Sequence, residues 1–419
     1  MKIVLITNLF EPYSRGGAEK VVKILAEALA RDSHEVWIVT TEPLCLSRNS
    51  WRIQQKKYEK NSAYSVIRFF PWNFYFLIND CKYPIIIRFF WHILDTFNIY
   101  SFFKVRSILK KIQPDIVWTH NLKGLGLLTP LAIRFLHLKH VHTLHDIQLI
   151  IPSGILLFGE EQKWKNNNFW ITTYTWITKF FFGSPHLILS PSTWLLDFYV
   201  QRGFFSKSKR EILLHPFASS IEGQFALPAN NTTLTFLYVG QIEHHKGIFF
   251  LLDVMREFVE YNDRRSVHSL STDEQETNKS ASIIKICLII IGSGSKEKLL
   301  KEEIKNMPYV QYFGRLSYHE TEKWYQMANY LIFPTLCYEN SPNVIQEALF
   351  HKLPVLASKL GSISEFIENG KNGFLFAPGD SQKLLELFKE IQEGKKIISF
   401  TSSRKSFSPK EYLKRIFYF

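Results

Sequence analysis

The sequence predicts an α/β protein built of two Rossmann-like, doubly wound domains in tandem. Short Val/Ile-rich runs alternate with amphipathic helical patterns, the signature of βαβ units around a parallel sheet. The rhythm starts at residue 2 and restarts near residue 234. A chain of 419 residues also exceeds one ordinary core, so two domains are expected on size alone.

"KIVLIT" (Lys2–Thr7) is a continuous apolar run, as a strand buried on both faces requires. "AEKVVKILAEALARD" then places Val21, Val22, Leu25 and Leu29 on one helical stripe. "HEVWIVT", "PDIVWTH", "KHVHTLH" and "HLILSPS" read as further strands, the last followed by a helix over about 193–201. After "REILLHPFASS" a new first strand, "LTFLYVG", precedes a new first helix, "KGIFFLLDVMREFVEY". "KICLIIIGSG", "YVQYFG", "YLIFPT" and "LPVLAS" continue the second set, with helical segments between. The expected division is a first domain over 1–217, a second over 218–403 and a final helix over 404–419 returning to the first, with the join near 215–232. In such sheets ligands collect at the carboxyl ends of the strands, which here points to a cleft between the domains.

Two segments depart from the rhythm. Arg264–Ser282 is polar and lacks helical periodicity, so an exposed, flexible insertion is expected there. Arg68–Lys111 is crowded with aromatics, and most of it is expected to be core and helix packing. Its aromatic surplus, set beside Arg88, Lys104, Arg106, Lys110 and Lys111, also permits a face that meets a membrane surface.

Composition narrows the function. Hydrophobic residues make up 46% of the chain, enough for a large packed interior. The formal net charge of +13 suggests a polyanionic partner: nucleic acid, an acidic membrane surface or a phosphorylated ligand. No Lys/Arg block, zinc-finger, RNA-binding or basic-zipper pattern supports nucleic acid. The four cysteines are scattered, which fits free thiols in a reducing cytoplasm. The N-terminal apolar run is too short for a signal peptide. Nothing approaches the ~18–20 apolar residues of a membrane span, since Arg88 interrupts the nearest run, Tyr83–Leu94.

Four stretches could carry chemistry. In "ENSPNVIQEALF", Ser341 is expected to cap a helix with Pro342 at its first position. The free N–H groups of Asn343 and Val344 would then face an anion. Glu339 precedes this helix, and Glu347 falls beside its buried stripe of Val344, Ile345, Ala348 and Leu349. Taken alone, the two glutamates suit an acidic helix start equally well. In "YVGQIEHHKG", Lys246 follows a strand at a tight turn, placed to neutralise a diphosphate. In "EPYSRGGAEK", Gly16 and Gly17 allow close backbone approach at the first strand-to-helix turn, with the helix starting at about Ala18. In "HTLHDIQ", His145 beside Asp146 ends a strand and suits an acceptor contact or proton relay. There is no G-x-G-x-x-G loop, H-E-x-x-H pair, Asp-x-Asp motif or G-x-S-x-G elbow, so no nicotinamide cofactor, catalytic metal or serine hydrolase is indicated.

Together these stretches resemble the retaining glycosyltransferases of the GT-B fold, specifically glycosyltransferase family four. The family includes glycogen-synthase-like enzymes and the mannosyl- or glucosyltransferases of capsule and lipopolysaccharide synthesis. The likeness covers the opening "KIVLITNLFEPYSRGGAEKVV", "PDIVWTHN", "HTLHD", "YVGQIEHHKG", "IIIGSG" and the block from "VQYFGRLS" to "FLFAPGD". That block holds two glutamates separated by seven residues, the spacing that marks the family's donor site.

The resemblance implies transfer of a sugar from a nucleotide-diphosphate sugar to a glycan or lipid-linked acceptor hydroxyl, with retention and without a metal or other cofactor. It implies that Glu339 contacts the donor sugar and Glu347 the ribose. Lys246, the backbone at Gly16–Gly17 and Asn343–Val344 would hold the diphosphate, with Gly292 in the same donor site. His145 would stand near the reacting sugar. The family commonly has Arg where this chain has Gln241, an amide that cannot match a guanidinium in stabilising leaving-group charge; Arg315 is a candidate substitute. The expected location is cytoplasmic, extending to peripheral attachment at the inner face of the cell membrane. Two other readings share the architecture: a nucleotide-sugar epimerase and a non-catalytic nucleotide-sugar-binding subunit.

Overall fold

The computed structural model describes residues 1–14, 16–44, 59–60, 63–163, 168–216, 233–271, 285–396, 398, 400 and 408–417. The chain divides into two compact units, Met1–Ile155 with Glu161–Ser220 and Ser406–Phe419, and Leu156–Glu160 with Ile221–Lys405.

In the first unit, strand β1 (Lys2–Ile6) leads into helix α1 (Gly17–Arg31) and β2 (Glu35–Thr41). The two-residue β3 (Glu59–Lys60) and β4 (Ser65–Phe69) follow. Then come α2 (Ile85–Thr96), α3 (Ile99–Ile112), β5 (Ile116–Thr119), α4 (Thr129–Phe135) and β6 (Lys139–Thr143). Helix α5 (Phe169–Phe182), β7 (Leu187–Ser190), α6 (Thr193–Val200) and β8 (Lys209–Ile212) complete the run. The sheet order is β3-β4-β2-β1-β5-β6-β7-β8, parallel except for the β3–β4 pair. Strand order reverses between β1 and β5, which is this sheet's switch point.

The second unit repeats the plan. Strand β9 (Thr233–Val239) is followed by α7 (Ile248–Ser271), β10 (Lys285–Ile291), α8 (Glu297–Glu303), β11 (Val310–Tyr312) and α9 (Tyr318–Met327). Next are β12 (Tyr330–Phe333), α10 (Asn343–Phe350), β13 (Val355–Ser358), β14 (Gly373–Phe376) and α11 (Ser381–Gln392). This sheet is fully parallel, ordered β11-β10-β9-β12-β13-β14, with its switch point between β9 and β12. The last helix, α12 (Pro409–Phe417), lies in the first unit, where Tyr412 and Leu413 join the core formed by α1, β1, β2 and β5.

Both cores follow from the alternation of elements. In the first, Val21, Val22, Leu25 and Leu29 of α1 pack on Ile3, Leu5, Val36 and Ile38. In the second, Phe236 of β9 stacks on Phe388 of α11 at 4.5 Å, and Phe258 of α7 meets the same ring at 5.3 Å.

Two expectations fail here. Arg264–Ser271 is not part of a loop: α7 runs on through it, so a polar stretch without clear periodicity did not mark a break in the helix, and 272–284 lies outside the described residues. The Arg68–Lys111 aromatics are not mostly core. Ile86, Phe89, Phe90, Ile93 and Phe97 of α2 and its cap are all exposed, while Trp91 is the large side chain that α2 buries. Apolar residues at helical spacing look the same in sequence whether their stripe faces inward or outward.

Candidate active site

In the second unit, the chain ends β9 at Val239 and turns through Gly240 and Gln241 into a single 3-10 turn, His244–Lys246. β12 ends at Phe333, and the chain runs through Pro334–Asn340 to α10. Because β9 and β12 are neighbours whose connections leave in opposite directions, these two turns lie side by side at the switch point. Main-chain bonds join them: the Leu336 N–H donates to the His245 carbonyl at 2.9 Å. Gly247, at φ +75°, permits this approach, and a methyl group on it would sit 1.8 Å from the Pro334 carbonyl oxygen.

This close approach brings Lys246 and Glu339 together across 93 positions of sequence. Lys246 Nζ donates to Glu339 Oε1 at 2.5 Å. Both side chains are largely enclosed, 23% and 16% exposed. Burial works against the ammonium, but the Glu339 carboxylate overcomes it and holds the Lys246 pKa above the ordinary lysine value. The Thr335 hydroxyl lies 3.4 Å from the same Glu339 oxygen, and the Ser362 N–H holds the Glu339 carbonyl at 2.9 Å. Burial and the Glu339 carboxylate push the neighbouring Cys337 thiol up to about 11, so it stays protonated.

On the other side of β9, the turn after β10 locks to the turn after β9. Gly292, at φ +146°, packs its Cα against the Gly240 carbonyl. The Ile242 N–H reaches the Ser293 carbonyl at 3.2 Å, and Glu243 accepts from the Ser295 N–H at 2.7 Å and its hydroxyl at 2.9 Å. Gln241 is exposed, held by its backbone carbonyl, which accepts from the Tyr238 hydroxyl at 2.8 Å.

Helix α10 begins differently from expectation. Its first residue is Asn343, with Pro342 as the N-cap and no side-chain cap. Ser341 is drawn elsewhere: its hydroxyl accepts from the buried Gln346 amide at 3.0 Å. Pro342 does not enter the helix, yet the Asn343 and Val344 N–H groups still make no hydrogen bond among the described residues. Val344 is only half-buried, whereas Glu347 is buried more deeply than its place beside the stripe suggested. The Tyr325 hydroxyl of α9 donates to Glu347 Oε2 at 2.8 Å, and the Tyr325 ring stacks on His351.

In the first unit, functional groups gather at the ends of β1, β5 and β6. Helix α1 starts at Gly17, one residue before the expected Ala18, and the Gly16 N–H donates to the Glu19 carboxylate at 3.0 Å. His120 follows β5 and His145 follows β6; His120 Nδ1 and His145 Nε2 lie 2.9 Å apart. The His145 ring stacks on His215, centroids 4.7 Å apart. Burial, reinforced by neighbouring imidazoles, holds the pKa of His120 and His145 well below the ordinary histidine value. His145 is therefore a neutral donor or acceptor near pH 7, not a cation. The cavity behind it, about 20 Å³, has room for a water and no more.

Two family models match the chain. The model for Glycosyltransferase Family 4 matches residues 15–213, and that for Glycosyl transferases group 1 matches residues 220–410. Both matches are to glycosyltransferases, so the chain is a glycosyltransferase. The glycosyltransferase is similar to the uncharacterized 42.6 kDa protein in the cps region of Klebsiella pneumoniae, 23% identical with 87% of each chain covered. It is also similar to the alpha-monoglucosyldiacylglycerol synthase of Acholeplasma laidlawii, 23% identical over 100% of this chain and 94% of that one. Among solved structures, Anabaena HepE with UDP superposes at a TM-score of 0.60, with 16% identity, over 94% of this chain and 91% of that chain. HepE has also been solved with UDP-glucose.

Of the residues singled out from sequence, the glycosyltransferase joins Lys246 directly to Glu339 and brings Gly292 against the turn that carries Gln241. Arg315 stands apart: it is exposed after the edge strand β11, outside the β9–β12 switch point. His120, His215, Gly247 and Tyr325 were not anticipated. For His120 a signal existed, since it follows a strand flanking the β1–β5 switch point; for Tyr325 none did, because its partner is set by how α9 and α10 pack.

The first unit carries a pH liability. Burial lowers His92 and His215 to about 4 and His140 and His142 to about 3, alongside His120 and His145. Burial raises Asp95 to about 7 and Asp146 to about 6. The depressed histidines contribute stability that is present above their unfolded value of about 6.5 and is lost as pH falls towards 4 and 3. The two aspartates act in the opposite sense, gaining stability as pH falls from 7 towards about 4. Six groups oppose two, so stability should fall on acidification below pH 6.5, at about 1.4 kcal/mol per pH unit for each uncompensated histidine. Urea midpoints measured from pH 7.5 to 5 should decline; a flat profile refutes the assignment.

Proposed function

We propose that the chain transfers a hexosyl group from a nucleotide-diphosphate sugar to an acceptor hydroxyl with retention of anomeric configuration, in the synthesis of a surface polysaccharide or glycolipid. The Lys246–Glu339 pair at the β9–β12 switch point carries this reading, because it sets a cation and a hydroxyl-accepting carboxylate together beside open helix-start amides. The bound UDP and UDP-glucose of HepE support a nucleotide-sugar donor. The named product of the Acholeplasma relative, a glucosyldiacylglycerol, supports a lipid acceptor.

Glu339 takes the donor sugar and Glu347 the ribose, with Gly292 keeping the donor turns in place. On donor binding, Lys246 exchanges Glu339 for the diphosphate, assisted by the Asn343 and Val344 amides. As the anomeric C–O bond breaks, its electrons pass to the departing phosphate oxygen, where Lys246 and these amides meet the charge without a metal. The acceptor hydroxyl attacks from the same face and gives its proton to that phosphate oxygen. Within the first unit, His145 offers a neutral hydrogen bond of the kind a sugar hydroxyl takes, and the Gly16–Gly17 turn offers a backbone that a phosphate can approach closely.

The test is release of nucleoside diphosphate from a panel of donors, UDP-glucose first, with and without glycan and lipid acceptors, the product anomer read by NMR. Release coupled to acceptor with retention is expected. Nucleotide binding by thermal shift with no release from any donor would instead mark a non-catalytic binding subunit. Gln241→Arg should raise turnover about tenfold by adding a charge-assisted hydrogen bond to the leaving group. Unchanged turnover in that variant would show that position 241 does not limit the reaction.

A further inference from the structure

Large exposed hydrophobic side chains are distributed very unevenly. Among the described residues of the second unit only Phe158, Phe313 and Met327 stand out, whereas α2, α3 and α5 of the first unit expose them in rows. On α2 and its C-cap, Ile86, Phe89, Phe90, Ile93 and Phe97 recur at helical spacing and are 42–68% exposed. This is an amphipathic helix whose apolar stripe points outward. The patch is continuous in structure: Phe97 meets Phe181 of α5 edge-on at 5.8 Å, and Phe102 of α3 meets Phe135 of α4 at 6.0 Å. On α5, Trp176 and Phe180 stack at 6.2 Å while both remain exposed.

The charge on these helices is mainly of one sign, although Arg88 of α2 is paired with Asp80 at 3.1 Å. From Lys82 to Pro114 the sole acidic residue is Asp95, which is buried, while six lysines and arginines occur in the same span. Helix α3 grades from apolar to basic along its outer side, from Ile99 and Phe103 to Lys110 and Lys111. Its basic end forms an open concavity of about 400 Å³ lined by Phe103, Arg106, Ser107, Lys110 and Lys111. At about 1.5 Å per residue, Phe103 and Lys111 stand some 12 Å apart along the axis, comparable to the depth from the acyl boundary to the phosphate plane.

We propose that the outward faces of α2, α3 and α5 dock this chain on the surface of an anionic phospholipid bilayer, with the α2 and α5 aromatics in the acyl boundary and the α3 concavity on a lipid phosphate. A bilayer of phosphates over hydrocarbon complements a face that is apolar and cationic with no exposed carboxylate between Lys82 and Pro114. Spanning is ruled out for α2, whose 12 residues reach about 18 Å, well short of a hydrocarbon core of about 30 Å. The proposal goes beyond the transferase reading, because docking needs neither donor nor acceptor.

The test is co-sedimentation of the full chain with phosphatidylglycerol–phosphatidylcholine vesicles and with phosphatidylcholine alone, at low and high salt. Binding to the anionic vesicles that weakens with salt is expected. Phe89→Ser/Phe90→Ser should weaken it at least tenfold, and Lys110→Gln/Lys111→Gln about 30-fold. All four side chains are exposed, so the thermal midpoint should not move. No sedimentation with anionic vesicles at low salt overturns the proposal, as does wild-type binding by both variants. A dimer that Phe89→Ser/Phe90→Ser dissociates, in a chain that ignores vesicles, would assign the face to a second copy and overturn it too. Thermal shift with nucleotide sugars in the absence of vesicles reports separately on the transferase reading.

Discussion

Replacing Lys246 with Met should lower donor turnover by about 10²–10³-fold, the loss typical when one preorganised donor to a developing charge is removed. It should also cost about 3 kcal/mol of stability, because the enclosed Glu339 carboxylate loses its cation. The two effects separate in the double variant Lys246→Met/Glu339→Gln. That chain should regain much of the stability, since no lone charge is left in the pocket, while turnover stays low. Urea denaturation and nucleoside diphosphate release measured on the same preparations check both. A Lys246→Met chain with native turnover would remove Lys246 from the chemistry.

Gly292→Ala should be among the most disruptive single methyl groups in the second unit, matched by Gly247→Ala. The added carbon would sit 1.8 Å from the Gly240 carbonyl oxygen, at a φ of +146° that alanine resists. Neither contact atom can swing aside, because both are backbone and the Gly240 N–H is already bonded to the Ile291 carbonyl at 3.0 Å. A loss of at least about 4 kcal/mol is expected, with separation of the turns after β9 and β10 and loss of nucleotide affinity. A thermal midpoint within about 2 °C of wild type would show that these turns are not locked together.

The contrast between these residues shows what sequence carries. The central strands were legible because a strand buried on both faces must be apolar throughout, as "KIVLIT" and "KICLIII" are. The edge strand β8 was not, because "KREI" carries the charges that an exposed margin tolerates. Glu339, Glu347 and Lys246 were each visible as motifs, but their partners were not. Nothing local says that Lys246 rests on Glu339 or that Tyr325 holds Glu347, since both pairings arise from strand order and helix packing. The Ser-Pro helix start illustrates the opposite error: local propensity chose Ser341 as cap, and a buried glutamine claimed it.

The resting Lys246–Glu339 contact makes the pocket demand two things at once. An anion alone, such as free phosphate, can take the lysine only by stranding the carboxylate, and a free sugar can take the carboxylate only by stranding the lysine. On the roles proposed above for Lys246 and Glu339, each half-ligand would bind against a penalty that an intact donor, carrying both sugar and phosphate, would not meet. Abundant cellular phosphate and free hexose should be poor competitors for this reason. Without a ligand that engages both, the two side chains stay paired with each other.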